Sequence, residues 1–128
     1  MIYVFSMAVI NIKRAYQPSE KSDGFRILVD RLWPRCIKKT DAHFDVWLKE
    51  IGPSTELRKW FNHEPDKWEE FYKKYMIELR NSPALEELSE HLKKHKTVTL
   101  VYAAKDELHN QAIVLKEFLE TKQEQRDL

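Results

Sequence analysis

Glycine and cysteine are almost missing from this sequence, which holds two glycines and one cysteine in 128 residues. One thiol makes an intrachain disulfide impossible and fits a reducing cytosol, so a cytoplasmic setting is expected. Two isolated glycines leave no glycine-rich phosphate loop. Neither sign of charge dominates, because 22 Lys and Arg stand against 21 Asp and Glu. The global field therefore offers no argument for nucleic acid or a membrane surface, and anion binding has to come from local clustering. No HExxH or paired-cysteine spacing is present, and five scattered histidines are weak grounds for zinc. No metal or cofactor is expected. The apolar opening "MIYVFSMAVINI" lacks a basic leader and a small-residue cleavage site, and it is too short to span a bilayer. It reads as the first strand, with Met1–Ser6 as an extension and Met7 as an alternative start.

What remains is an ordinary globular composition, 42% hydrophobic and 34% charged, in a chain long enough to bury a core without staples. No repeat or linker interrupts it. One domain over 1–128 is expected, with its core at about 8–120. "MAVINIKRAY" (7–16) is β-branched and apolar, "QPSEKSDG" (17–24) has loop composition, and "FRILVDRLW" (25–33) reads as a second strand stopped by Pro34. "FDVWLKEIG" (44–52) fits both helical spacing and alternation. A short strand is favoured there because Gly52-Pro53 follows at once. Ser54 is positioned to cap a helix over 55–62, and Pro65 suits the first position of the next. Trp68, Phe71, Tyr72, Tyr75, Met76 and Leu79 form one wide apolar stripe. Ser82-Pro83 starts another helix with Leu85, Leu88 and Leu92 on one face. "TVTLVY" (97–102) suits a strand covered on both faces. Leu108, Ala112, Leu115 and Leu119 mark a terminal helix capped by Asp106 and fraying into "TKQEQRDL". This order predicts an α/β domain around a small, mostly parallel sheet flanked by helices, with α+β as the alternative.

The second strand carries the main anomaly. "RILVDRLWPRC" (26–36) sets Asp30 and Arg31 within its apolar run, and alternation sends them to opposite faces. An unpaired buried charge costs several kcal/mol, roughly, so each needs a partner or a solvent-reaching edge. Two readings stay open. One is an ion pair locking the sheet edge, with Arg14 or Lys105. The other is a ligand rim, because open α/β sheets bind ligands beyond the carboxyl ends of their strands. In a parallel sheet Arg14, Arg31, Arg35, Lys38 and Lys105 gather there, and guanidinium forks match phosphate or carboxylate.

The strand-to-helix junction "LVYAAKDELHNQA" (100–112) adds His109 and Asn110 as candidate proton-transfer and polarising groups, with Asp30 as the group that orients the arginines or a water. Ala103 and Ala104 are small enough to let a ligand reach the backbone. The plainer reading of His109 and Asn110 is a surface histidine beside a loop-fastening amide. Ser54, Arg58, Trp60, His63 and Lys67 form a third group whose aromatics pack the helix onto the core.

Three stretches, "DGFRILVDRLWPRCIKK", "WLKEIGPSTELRKWFNHEPDKWEEFYKKY" and "TLVYAAKDELHNQAIVLKEFL", resemble the YeaO-like proteins of domain-of-unknown-function family 488, from about Ile10 to Leu119. The resemblance implies a compact α/β domain and brings no reaction. It picks out Arg14, Asp30, Arg31, Trp33, Pro34, Arg35, Ser54, Arg58, Trp60, Tyr102, Lys105 and Asn110 as positions matching the family pattern. Trp33, Ser54, Arg58 and Tyr102 thereby join the candidate ligand-binding set. The position after "WPR" is usually glycine in such proteins and is Cys36 here, so an altered turn is expected and no family role transfers to that thiol. Longer, more distant relatives carry cysteines at the strand-to-helix junction. "YAAKDELHN" has none, so thiol chemistry is not expected there. The functional expectation is a site for a small anion, nucleotide or phosphorylated metabolite, with hydrolysis as an extension. A non-catalytic module for a protein or nucleic-acid partner is the alternative. Oligomeric state is not specified, and no membrane partner is expected.

Overall fold

The computed structural model describes residues 8–126. The Met1–Ser6 extension and the Met7 start lie outside the described residues. The strands are β1 (Val9–Arg14), β2 (Phe25–Leu28), β3 (Val46–Trp47) and β4 (Thr97–Tyr102). The helices are α1 (Thr55–Phe61), α2 (Trp68–Arg80), α3 (Leu85–Lys94) and α4 (Gln111–Arg126). The sheet order is β1-β4-β2-β3 and every neighbouring pair is parallel, which gives the expected α/β class. β4, the most apolar strand, is internal and runs over the expected 97–102.

Register sorts the two faces. Ile10 lies beside Val98, Ile12 beside Leu100 and Arg14 beside Tyr102, while Phe25 and Ile27 adjoin Val98 and Leu100. Side chains alternate along a strand, so these share one face. That face joins buried residues of all four helices in one core, among them Leu57, Phe71, Tyr75, Leu79, Leu88, Leu92, Leu115 and Leu119. Tyr75, fully buried on α2, donates its hydroxyl to the Ile51 carbonyl at 2.7 Å. The opposite face carries Asn11, Lys13, Arg26, Leu28, Thr99 and Val101. Thr99 is buried there and donates its hydroxyl to the Asp23 carbonyl at 2.6 Å. The chain reaches it through Gly24, whose φ of 66° is in the left-handed region and whose missing Cβ would collide with the Thr97 carbonyl.

Two boundaries differ from the sequence reading. β2 stops at Leu28 instead of reaching residue 33. The Val29 N–H still donates to Val101, but beyond it Asp30 and Arg31 turn to bond the neighbouring loops, so strand alternation no longer governs them. The last helix starts at Gln111 and stays helical to Arg126, through most of the tail read as fraying. Its cap is Asn110, which accepts the Ile113 N–H, instead of Asp106. Leu108, expected on the buried face of that helix, precedes it and is 73% exposed.

Candidate functional site

Parallel pairing brings Arg14, Asp30, Trp47 and Tyr102 to one edge, at the carboxyl ends of the strands. Asp30 is the knot. Its Oδ2 accepts the Ala103 N–H at 2.9 Å, its Oδ1 accepts from the Gln111 side-chain amide, and its backbone carbonyl accepts the Trp47 indole N–H at 2.7 Å. One residue thus links the ends of β2, β3 and β4 to the start of α4. Among the described residues no ion pair neutralises this carboxylate. Burial pushes its pKa up to about 6, against the lowering effect of the Ala103 N–H. The edge-locking ion pair with Arg14 or Lys105 is therefore absent: hydrogen bonds from an amide and a backbone N–H take its place.

Arg14 grips the same loop from the other side. Its Nε donates to the Ala104 carbonyl at 2.9 Å and its Nη2 to the Ala103 carbonyl at 3.5 Å, and its guanidinium lies 5.2 Å from the Tyr16 ring. The Ala103 peptide is held by Asp30 through its N–H and by Arg14 through its oxygen. These carbonyls are taken, so the small side chains at 103 and 104 admit an arginine to the backbone.

Arg31 points elsewhere. Its Nε and Nη2 donate to the Pro53 and Gly52 carbonyls at 2.9 and 3.0 Å, and Nη1 lies 3.5 Å from Glu50. It secures the bend that feeds α1. There Ser54 caps the helix as expected, accepting the Leu57 N–H at 3.1 Å while its own hydroxyl donates to Glu78 at 2.6 Å. Arg58, on α1, has a buried Nε with no hydrogen-bond partner among the described residues.

At the junction after β4, Asp106 accepts the Leu108 and His109 N–H groups and the His109 Nδ1 lies 2.9 Å from its carboxylate. These N–H bonds and the His109 side chain hold Asp106 well below the usual carboxylate range. The His109 ring meets Trp68 edge-on, with centroids 5.3 Å apart. Asn110 is buried, and beyond capping α4 it donates to the Asp106 carbonyl at 3.0 Å. Tyr102 is buried beside it; burial pushes its hydroxyl pKa up, and the Asn110 side chain is hydrogen-bonded to it. Lys105 is exposed, without a hydrogen bond or ion pair among the described residues. Trp33 donates to the Ile37 carbonyl at 2.7 Å and packs against Phe44 and Trp47, and Arg35 is exposed with its carbonyl bonded to Tyr16.

The structure thus gathers Arg14, Asp30, Tyr102, Lys105, His109 and Asn110 at one edge. Arg31, Ser54 and Arg58 lie toward α1, and Trp33 and Arg35 lie in the excursion between β2 and β3. Gln111 and Trp47 are not among the sequence-derived site candidates. Gln111 directly follows the flagged Asn110, which was its only signal, while an indole like Trp47 normally reads as packing. Among the described residues no group of three His, Cys, Asp or Glu side chains is placed to hold a metal ion, and no helix is long and apolar enough to cross a membrane.

A family model described as the inactive DUF488-N3 subclade matches residues 9–128. The chain belongs to this subclade. It is 48% identical over 110 residues to the uncharacterised protein YeaO of Escherichia coli K12, covering 86% of this chain and 96% of that one. It is 39% identical over 110 residues to the uncharacterised proteins Rv3073c of Mycobacterium tuberculosis H37Rv and Mb3100c of Mycobacterium bovis, covering 86% of this chain and 92% of each. No solved structure matches it. Cys36, at the position after "WPR", adopts φ 66°, the left-handed backbone that favours glycine.

Proposed function

We propose that this protein binds a small phosphorylated or carboxylated ligand at the carboxyl edge of its sheet, without turning it over. The observation that carries the reading is Arg14. Its Nε and Nη2 are fixed on two carbonyls, its Nη1 is unspent, and no acidic side chain among the described residues pairs with it. Lys105, unpaired and exposed, follows the neighbouring strand. A guanidinium already oriented by its own loop loses little entropy when an anion arrives.

Binding is favoured over hydrolysis because two of the three candidate catalytic groups, Asp30 and Asn110, are committed, and the third, His109, is held at Nδ1 by Asp106. Both Asp30 oxygens accept hydrogen bonds, and the Asn110 side chain caps α4 through its oxygen and donates to the Asp106 carbonyl through its nitrogen. A general base needs a reachable lone pair facing the substrate. The family's description as inactive agrees with this assignment. The exposed, unpaired Cys36 suits a cytosolic setting.

The test is a thermal-shift series with inorganic phosphate, nucleoside monophosphates and sugar phosphates. A ligand at a hundredfold excess over its Kd stabilises by about 2.7 kcal/mol, which raises Tm by several degrees. Lys105→Ala, at an exposed site, is expected to leave the ligand-free Tm unchanged and weaken binding about tenfold, the loss of a charge-assisted contact. No shift with any of these compounds, or a shift untouched by Lys105→Ala and Arg14→Ala, would overturn the proposal.

A further inference from the structure

On the sheet face opposite the core, the excursions after β1 and β2 line an open cavity of about 270 Å³, which borders the carboxyl edge at Tyr16, the ring beside Arg14. Arg26 forms part of its wall. This arginine is 5% exposed, its Nε donates to the His43 carbonyl at 2.7 Å, and its Nη1 donates to Asp23 at 2.5 Å. Nη2 has no hydrogen-bond partner among the described residues. It is not sealed from solvent either, since Arg58 Nε is the buried unpartnered side-chain atom found among them. Asp23 also accepts from Lys13 at 3.1 Å, and Lys13 is paired in turn with the exposed Glu20 at 3.4 Å. Tyr16 and Phe44 bring rings to the same cavity, and Lys38 and Cys36 stand at its rim, with the exposed Asp41 as its one acidic side chain.

We infer that this cavity is a second ligand site, for a small organic anion with a flat apolar body. Arg26 and Lys38 receive the anionic group, and Tyr16 and Phe44 receive the body. A guanidinium held by two of its nitrogens, with the third reaching solvent, is already oriented for a carboxylate or phosphate oxygen, and a planar fork matches such groups better than an ammonium does. The volume lies just below the usual range of ligand pockets, roughly 300–1,000 Å³, which limits the ligand to about one ring and its anionic group.

Cys36 is the one cysteine in the chain, and it reports on this cavity alone. We would measure its labelling rate with a thiol-reactive disulfide in the intact protein. Benzoate and phenyl phosphate at saturation are expected to slow labelling severalfold, and neutral benzyl alcohol is not. Lys38→Ala is expected to weaken the protection at least threefold, and Arg26→Lys to weaken it further by removing the fork. If Arg26→Lys does not fold, Lys38→Ala alone decides. Lys105→Ala leaves protection unchanged, so this site and the carboxyl edge fail independently. The inference is overturned if neither anion protects at millimolar concentration, if benzyl alcohol or inorganic phosphate protects as well as phenyl phosphate, or if Lys38→Ala has no effect.

Discussion

Asp30→Asn tests the central knot of the fold. The carboxyl group titrates near 3.8 when exposed and at about 6 in the folded protein, where burial opposes its charge. A raised folded pKa means that stability from this group is fully present below 3.8, declines as pH rises, and is lost above 6. At about 1.4 kcal/mol per pH unit, ionised Asp30 costs the fold about 3 kcal/mol at neutral pH. Asparagine keeps the shape and removes the charge. Its Oδ1 still accepts the Ala103 N–H, and Gln111 has only to turn its amide to offer an oxygen to the new Nδ2. Replacing charge-assisted hydrogen bonds by neutral ones takes back about 1 kcal/mol. The variant should therefore be about 1–2 kcal/mol more stable than the parent at pH 7.5 and no more stable at pH 4. Urea midpoints of both proteins between pH 4 and 7.5 give this difference directly, because every other titrating group cancels. A difference that stays constant across that range would refute the burial argument, and a variant strongly destabilised at pH 7.5 would show that the charge itself holds the Ala103 loop.

Two further substitutions probe local chemistry. Ser54→Ala removes the cap on the Leu57 N–H and one of the two hydrogen bonds that residue 54 makes to Glu78, and should cost about 1–2 kcal/mol in urea denaturation. Cys36→Gly relieves a side chain held at φ 66° at the price of a more flexible unfolded chain, and should raise stability by about 0.5 kcal/mol, visible as a small rise in Tm.

Elements whose burial is decided locally were readable in advance. β4 runs over the expected six residues because an internal strand needs apolar side chains on both faces, and "TVTLVY" supplies them or their near equivalents. The stripe on α2 is legible in the sequence because Phe71, Tyr75 and Leu79 sit on one side of the helix and all are buried. The end of β2 was not readable. Nothing within "RILVDRLW" separates Leu28 from Leu32; the strand ends because Asp30 finds its partners on β3, β4 and α4. The α4 cap had two chemically competent candidates four residues apart. Asp106 spends its carboxylate on a turn of its own, and Asn110 is left at the helix start.

The same division runs through the candidate sites. Sequence alone determined that charge would have to be accommodated at the carboxyl end of the second strand, that Ser54 would cap a helix, and that strands and helices would alternate as an α/β domain. Only the tertiary structure decided how that charge is used. Arg14 and Arg31 each place two nitrogens on loop carbonyls, Asp30 is met by amides instead of cations, and Arg26, unmarked in the sequence, keeps a free N–H beside a cavity. The reason is physical: a side chain's residue type sets how many hydrogen bonds it must make, and the packing of distant segments sets which atoms are close enough to make them.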